Sequence, residues 1–447
     1  LINCTEIALW WQKIPSFKMS RYTIHTSQLF DPKQKKLLNN TSIVVDRQTG
    51  NIVKVFQRAN DDDIRSSPSE DVVDLRGKFV MPGFVDAHTH IFLHSYDERP
   101  SLQQKRDESV VERVVRAVNH CRIALLAGYT TYRDLGSESL GSMDANMRDS
   151  ISRGLIPGPR LFVATKVLAS TGSYESRTEN ACNGVCLPQG SEPVDGPAEA
   201  QKAVRRRIAE GADVIKFFAD YRRRIMRFPP AQQHPYIHSV THPPEEPNPD
   251  VLLFHQEEMD MIVKEAKLAK CPVACHAGTI EGAMGAVKAG VNTIEHGYFA
   301  NEELFQLMKE KGTIFVPTLA VCENLHKNRF SEILKQTKLA YDIGVRLACG
   351  GDTGTYPHGD NVREMELMIE AGIPVEDVLE MCTVGGWESC GGKLCGFKFG
   401  WFEQGCRADI IALGASPMED KKALRNVDFV MKDARIWKLN GEAYCMV

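Results

Sequence analysis

The sequence predicts an α/β fold: a (β/α)8 barrel with a small β-sandwich domain formed by both chain ends. Three observations carry this. Strand-type runs alternate with helical stretches through the middle of the chain, giving eight candidate strands. Short strands and turns dominate both ends. Residues able to ligate a cation stand at the ends of candidate strands, where such barrels place their chemistry.

The elements follow in order. Residues 1–21 read as an N-terminal extension without the basic start or long apolar core of a signal peptide, and Met19 reads as a start. Residues 22–80 form the first part of the sandwich: Tyr22-Thr-Ile, Thr41-Ser-Ile-Val-Val and Ile52-Val-Lys-Val-Phe are short strands, with Gly50-Asn51 a turn. Residues 81–396 form the barrel. Its strands are the run from Phe79 to His90, which breaks at Pro82-Gly83 and resumes as Phe84-Val85, then Thr130–Asp134, Arg160–Ala164, Ala212–Phe218, Pro272–His276, Asn292–His296, Thr313–Thr318 and Arg346–Asp352. Helical stretches at 111–127, 198–210, 257–270, 280–289 and 302–311 precede most of them, several ending at a glycine that supplies the left-handed cap. Residues 397–447 return to short strands, with Ala408–Leu413, Val427–Met431 and Ala434–Lys438 completing the sandwich. A doubly wound open sheet is the competing architecture, but no glycine-rich phosphate loop follows the first strand.

A chain of 447 residues is long enough for one large domain and a small one. Its net charge of −4 argues against a nucleic-acid partner, and no apolar run reaches membrane-spanning length. Arg205–Arg207 and Arg222–Arg224 read as solvated faces. Thirteen cysteines, an odd number scattered through apolar runs, fit buried free thiols and a cytoplasmic location better than a disulfide framework. The loose pairs Cys182 with Cys186 and Cys390 with Cys395 read as structural or incidental.

The chemistry is concentrated on strand ends. Side chains alternate along a strand, so His88 and His90 in Asp-Ala-His-Thr-His point to one side, as a pair of imidazoles able to grip one ion. Lys216, His276, His296 and Asp352 end four further strands. Each has a bland reading alone: a satisfied core histidine, a rim lysine, a turn aspartate. Six such residues converging on one rim point to a metal-dependent site.

These motifs resemble the amidohydrolase superfamily. The matching segments are Pro82–His90, Gly128-Tyr-Thr-Thr-Tyr-Arg-Asp-Leu-Gly136, Gly211–Lys216, Cys275-His276-Ala, Thr293-Ile-Glu-His296-Gly, Gly350-Gly-Asp352-Thr-Gly and Gly405–Ile411. The nearest branch holds Xaa-Pro and Xaa-Arg dipeptidases, ochratoxin-hydrolysing amidases and imidazolonepropionase-related proteins. The resemblance implies two divalent ions, expected to be zinc: one on His88, His90 and Asp352, the other on His276 and His296, bridged by a CO2-derived carbamate on Lys216. It implies hydrolysis of an amide or cyclic amide in a small molecule, Asp352 carrying the proton from the attacking water to the leaving nitrogen, and a homo-oligomer. The rival readings are a mononuclear deaminase-like site that does without Lys216, a lactone hydrolase, and an inactive scaffold.

The chain departs from the branch pattern at pocket-lining loops. His276-Ala-Gly-Thr279 replaces His-x-His-Gly, Tyr174 stands where a histidine is usual, and Phe217-Phe218 replaces a small-residue run. Tyr174, Tyr298 and His358 are the expected substrate contacts, with a loop-fixing role for His358 as the alternative. The Pro-rich segment 221–250 is expected to be a lid, His255 to start a helix, and Arg133 to pair with Asp134.

Overall fold

The computed structural model describes residues 20–64, 70–174, 189–222, 232–233, 235–238, 241–242, 250–444 and 446. The extension before residue 20, the pair Cys182 and Cys186, and most of the expected 221–250 lid lie outside the described residues.

Both chain ends build one nine-stranded mixed sheet. Its N-terminal strands are longer than their apolar cores suggest: Arg21–Asp31 and Lys36–Asp46 pair antiparallel from Arg21–Asp46 to Asp31–Lys36. Polar positions near their hairpin, such as Lys36 and Asn39, hide this length from a pattern search. The two ends meet through Phe79–Pro82, which runs parallel to Arg21–Asp31 and antiparallel to Ile410–Leu413. Ile24, Ile43, Val80, Ile410 and Phe429 share the apolar cluster beneath this sheet.

The opening run divides at its Pro82-Gly83 step. Phe79–Pro82 belongs to the terminal sheet, and the barrel begins at Phe84. Gly83 is the break: a Cβ there would lie 2.2 Å from Thr130 Oγ1, so only glycine lets the chain cross between the two sheets at this point.

The barrel strands are β1 (Phe84–Thr89), β2 (Tyr129–Asp134), β3 (Arg160–Val163), β4 (Ile215–Phe218), β5 (Val273–Ala277), β6 (Thr293–His296) and β7 (Ile314–Val316). β1, β2 and β3 pair in parallel, and so do β4 to β7. Between the two sets, Val214 N donates to Val163 O at 3.2 Å, and the short strand Val167–Ala169 runs beside β4.

The expected eighth strand is an extended segment with isolated bridges. Phe315 pairs with Leu347 and Thr89 with Thr353, while Ala87 N donates to Cys349 O at 2.8 Å, so the segment joins β7 back to β1 and closes the ring. Its irregularity has a local cause. A Cβ at Gly350 would lie 2.7 Å from His88 N, and Asp352 takes a left-handed φ of 65°.

The expected helices form over Val110–Leu126, Pro197–Ala209, Gln256–Leu268, Ile280–Ala289 and Glu302–Lys311, the last two capped by left-handed Gly290 and Gly312. Their apolar faces pack on the strands, as with Val263 and Ala266 or Leu304 and Met308, and this leaves the strand ends on one rim for the site. Among the described residues no helix is long and apolar enough to cross a membrane. The cysteines described are free thiols, nearly all buried.

Candidate metal-dependent active site

β1 delivers His88 at its end and His90 just beyond, with ring centroids 5.4 Å apart. The closing segment turns Asp352 onto them: its Oδ1 lies 3.5 Å from His88 Nε2 and 3.2 Å from His90 Nε2. One ligand atom from each of these three residues fits within 4.8 Å of the others, the one compact cation-type cluster of His, Cys, Asp and Glu among the described residues.

His276 from β5 and His296 from β6 stand beside it. Their rings are 4.5 Å apart, and His296 is 5.0 Å from His88. Lys216 on β4 is buried on the same rim, and its Nζ has no hydrogen-bond partner. Asp352 Oδ1 is likewise buried without one. An anionic oxygen beside four imidazoles forms a donor set that fits a divalent cation.

Electrostatics agree with that reading for three of the four imidazoles. Burial, reinforced by Lys216, pushes His88 down to about 4 and His276 well below the ordinary histidine range; burial and the neighbouring histidines do the same to His296. These imidazoles are therefore neutral and offer lone pairs. Burial also lowers the Lys216 ammonium. Burial alone would raise Asp352, but His88, His90 and Lys216 outweigh it and keep the carboxylate ionised. His90 differs: burial opposes its protonation, yet Asp352 and Glu138 raise it to about 9.

A second layer fixes the rings. His88 donates from Nδ1 to Glu295 Oε2 at 2.9 Å, and Glu295 Oε1 accepts from Arg133 Nη2 at 2.7 Å. Arg133 also donates to Ala87 O, Thr293 Oγ1 and Ser389 O, entirely inside the barrel. The expected Arg133–Asp134 pair does not form. Neighbours on a strand face opposite ways, and Asp134 instead accepts from Ile91 N at 2.7 Å. His90 donates from Nδ1 to Gly136 O at 3.1 Å, and His296 Nδ1 pairs with Thr318 Oγ1 at 2.9 Å.

Sequence reasoning missed Glu138 and Lys105. Glu138, on the loop after β2, lies 3.3 Å from His90 Nδ1 and forms a buried ion pair with Lys105 from the short helix Ser101–Asp107. No spacing rule links two loop residues that meet only in the closed barrel.

Of the expected substrate contacts, Tyr174 stacks on Phe218 at 4.5 Å and donates its hydroxyl to Glu138 Oε2 at 3.0 Å. Tyr298 lies 5.2 Å from the His296 ring and 4.4 Å from that of His326. His358 is buried, donating to Leu93 O at 3.1 Å and stacked on His120 at 4.2 Å, contacts that tie the rim loops together. His255 stands at the start of the helix Gln256–Leu268, as its sequence suggests.

Parallel strands closed into a ring, with buried imidazoles and an ionised aspartate at one rim, define a metal-dependent hydrolase class. Comparison with known proteins names the family. The model of the amidohydrolase family matches residues 79–437. The crystal structure of a Xaa-Pro dipeptidase with bound methionine in its active site superposes with a TM-score of 0.78 at 30% identity, covering 94% of this chain and 100% of that one. The ochratoxinase of Aspergillus niger is 28% identical over an alignment 463 residues long, gaps included, that covers 96% of this chain and 89% of that protein. Its crystal structure gives a TM-score of 0.75 at 27% identity, covering 94% of this chain and 96% of that one. The chain belongs to the amidohydrolase family.

Proposed function

We propose that this chain hydrolyses an amide C–N bond in a small molecule, using a divalent ion held by His88, His90 and Asp352. The observation that carries the reading is the convergence of those three donors within 4.8 Å on the barrel rim. The likeness to a Xaa-Pro dipeptidase and an ochratoxinase supports a small amide-type substrate. Imidazole and carboxylate donors suit zinc.

An ion bound there supplies an acidified water and polarises the substrate carbonyl. The chain's own residues do the rest. Asp352, ionised and facing the imidazole pair, is placed to take a proton at its carboxylate and return it to the leaving nitrogen. His88 and His296 hold their ring orientations through Glu295 and Thr318, so the donor nitrogens are fixed before substrate arrives.

Two ion counts compete. The single compact donor cluster favours one ion, as in a deaminase-like centre. The partnerless Lys216 Nζ favours a second ion on His276 and His296, with Lys216 carrying a carbamate between the two, since an ammonium cannot ligate a cation. Metal analysis of protein purified without chelator and with bicarbonate separates them, paired with an assay of N-acyl amino acids and dipeptides. About two equivalents support the bridged centre and about one the mononuclear reading. Protein that binds no zinc and cleaves no amide after reconstitution overturns the proposed function.

A further inference from the structure

Asp352 meets the His88–His90 pair from a left-handed backbone conformation, with a φ of 65°. A residue other than glycine keeps that conformation when its surroundings over-determine it. Thr353, the next residue, supplies the restraint. It is bound to the β1 end of the chain at three points. Its N donates to His88 O at 3.2 Å, its O accepts from His90 N at 2.7 Å, and its hydroxyl donates to Asp86 Oδ2 at 2.8 Å. Asp86 Oδ1 in turn accepts from His88 N at 3.0 Å. One carboxyl group thus holds the backbone of one candidate ligand and the neighbour of another.

Asn361 backs this contact from the start of the helix Val362–Glu370. Its Nδ2 lies 2.6 Å from Asp86 Oδ2, 2.9 Å from Thr353 Oγ1 and 2.8 Å from the Tyr132 hydroxyl. Its Oδ1 accepts from Gly359 N at 3.0 Å, which fixes the amide this way round. A threonine hydroxyl has one hydrogen and two lone pairs. With its hydrogen directed to Asp86, that of Thr353 accepts from Asn361 and, at 2.8 Å, from the Tyr356 hydroxyl. Asp86, Thr353, Asn361 and Tyr132 are all buried, so water does not replace a lost partner. Burying such a polar set costs stability unless its bonds are satisfied, and here they meet at the residue beside Asp352.

We propose that Thr353, locked on Asp86 and Asn361, is a positioning residue that holds the Asp352 carboxylate against His88 and His90. The proposal rests on the metal-hydrolase reading above and gives that centre a support outside the six candidate ligands. Without the hydroxyl, the turn loses its tie to Asp86 and the donor oxygen loses its fixed place.

The test is zinc and cobalt binding by the full chain, read by competition against a metal-binding dye and by the visible spectrum of the Co(II)-loaded protein. Thr353→Val keeps the shape and drops the hydroxyl. It is expected to weaken zinc binding about tenfold and to change the Co(II) spectrum. Thr353→Ser restores the hydroxyl and should bind zinc within about twofold of wild type, with the wild-type spectrum. Tyr132→Phe removes another buried bond of the same network, one that does not touch Thr353. It should lower the thermal transition and leave zinc affinity and spectrum as they are. Where Thr353→Val fails to fold, Thr353→Ala, which only deletes atoms, is read in the same way. Equal zinc affinity and an equal spectrum in wild type and Thr353→Val overturn the positioning role while leaving the metal centre standing. Equal weakening by Thr353→Val and Tyr132→Phe, or no recovery in Thr353→Ser, overturns it too and makes the network a general support of the fold. If the wild type binds neither zinc nor cobalt, the metal-hydrolase reading fails and the positioning role falls with it.

Discussion

Glu295 Oε2 lies 2.9 Å from His88 Nδ1, and the same carboxylate holds Arg133 through its other oxygen at 2.7 Å. One buried carboxylate thus orients a candidate metal ligand and neutralises a guanidinium inside the barrel. Glu295→Gln is expected to weaken zinc binding about 10- to 100-fold, because the amide is a poorer partner for the ring N–H. It also leaves Arg133 as an uncompensated buried charge, which costs about 3–5 kcal/mol. Competition against a zinc-binding dye and urea unfolding measure the two effects. Unchanged values in both would remove Glu295 from the support of the site.

Why Glu295 and His296 both face the site was not legible in the sequence. Strict alternation along a strand puts adjacent residues on opposite faces. His296 escapes this by adopting a φ of 74°, and Asp352 turns inward with a φ of 65° in the same way. His88 and His90 obey the alternation, so their pairing could be read directly. Gathering of His276, His296 and Asp352 on one rim was readable too, because each ends a strand-type run, whereas Lys216 stands inside its strand, Ile215–Phe218. The Arg133 partner was misassigned because its true partner, Glu295, comes from a strand far along the chain. Glu138 and Lys105 escaped for the same reason: their meeting depends on how two rim loops fold over the barrel.

Asp352→Asn separates proton transfer from ion binding. The amide keeps the shape and one oxygen donor but cannot accept a proton. Turnover is expected to fall about 10²- to 10⁴-fold. Zinc content measured on the same preparation distinguishes loss of the shuttle from loss of the ion. Near-normal turnover with zinc bound would show that another group moves the proton.

Lys216 gives a prediction with opposite signs for stability and metal. Burial disfavours its ammonium, and its Nζ has no partner, so Lys216→Met should stabilise the zinc-free protein. The same variant should lose about one equivalent of zinc if a carbamate bridges two ions. A stabilised variant with unchanged zinc content and turnover would assign Lys216 no part in the centre.

The closing segment depends on Gly350. A Cβ there would lie 2.7 Å from His88 N and 2.8 Å from Val316 Cγ1, so Gly350→Ala must push β1 from the segment that carries Asp352. Overpacking of this kind costs about 1–3 kcal/mol. The expected result is a lowered thermal transition together with weaker zinc binding, since the displaced backbone belongs to a donor. A drop in stability with zinc affinity intact would mean that the segment yields on the β7 side instead.

Glu364 makes the fold itself pH-dependent. It is buried on the helix Val362–Glu370, where it accepts from Ala320 N at 2.8 Å. Burial outweighs that bond and raises its carboxyl from 4.5 to about 8. Because the folded state then binds a proton that the unfolded chain releases, the contribution is full below the unfolded value and is lost as pH rises toward 8. Glu364→Gln keeps a neutral group of the same shape and cannot ionise. The difference in urea midpoint between wild type and variant should therefore shift in the variant's favour between pH 5 and pH 8, even though other buried carboxyls such as Asp86 and Asp144 titrate in both proteins. A difference that stays constant across that range would mean that Glu364 ionises in the fold as readily as it does in the unfolded chain.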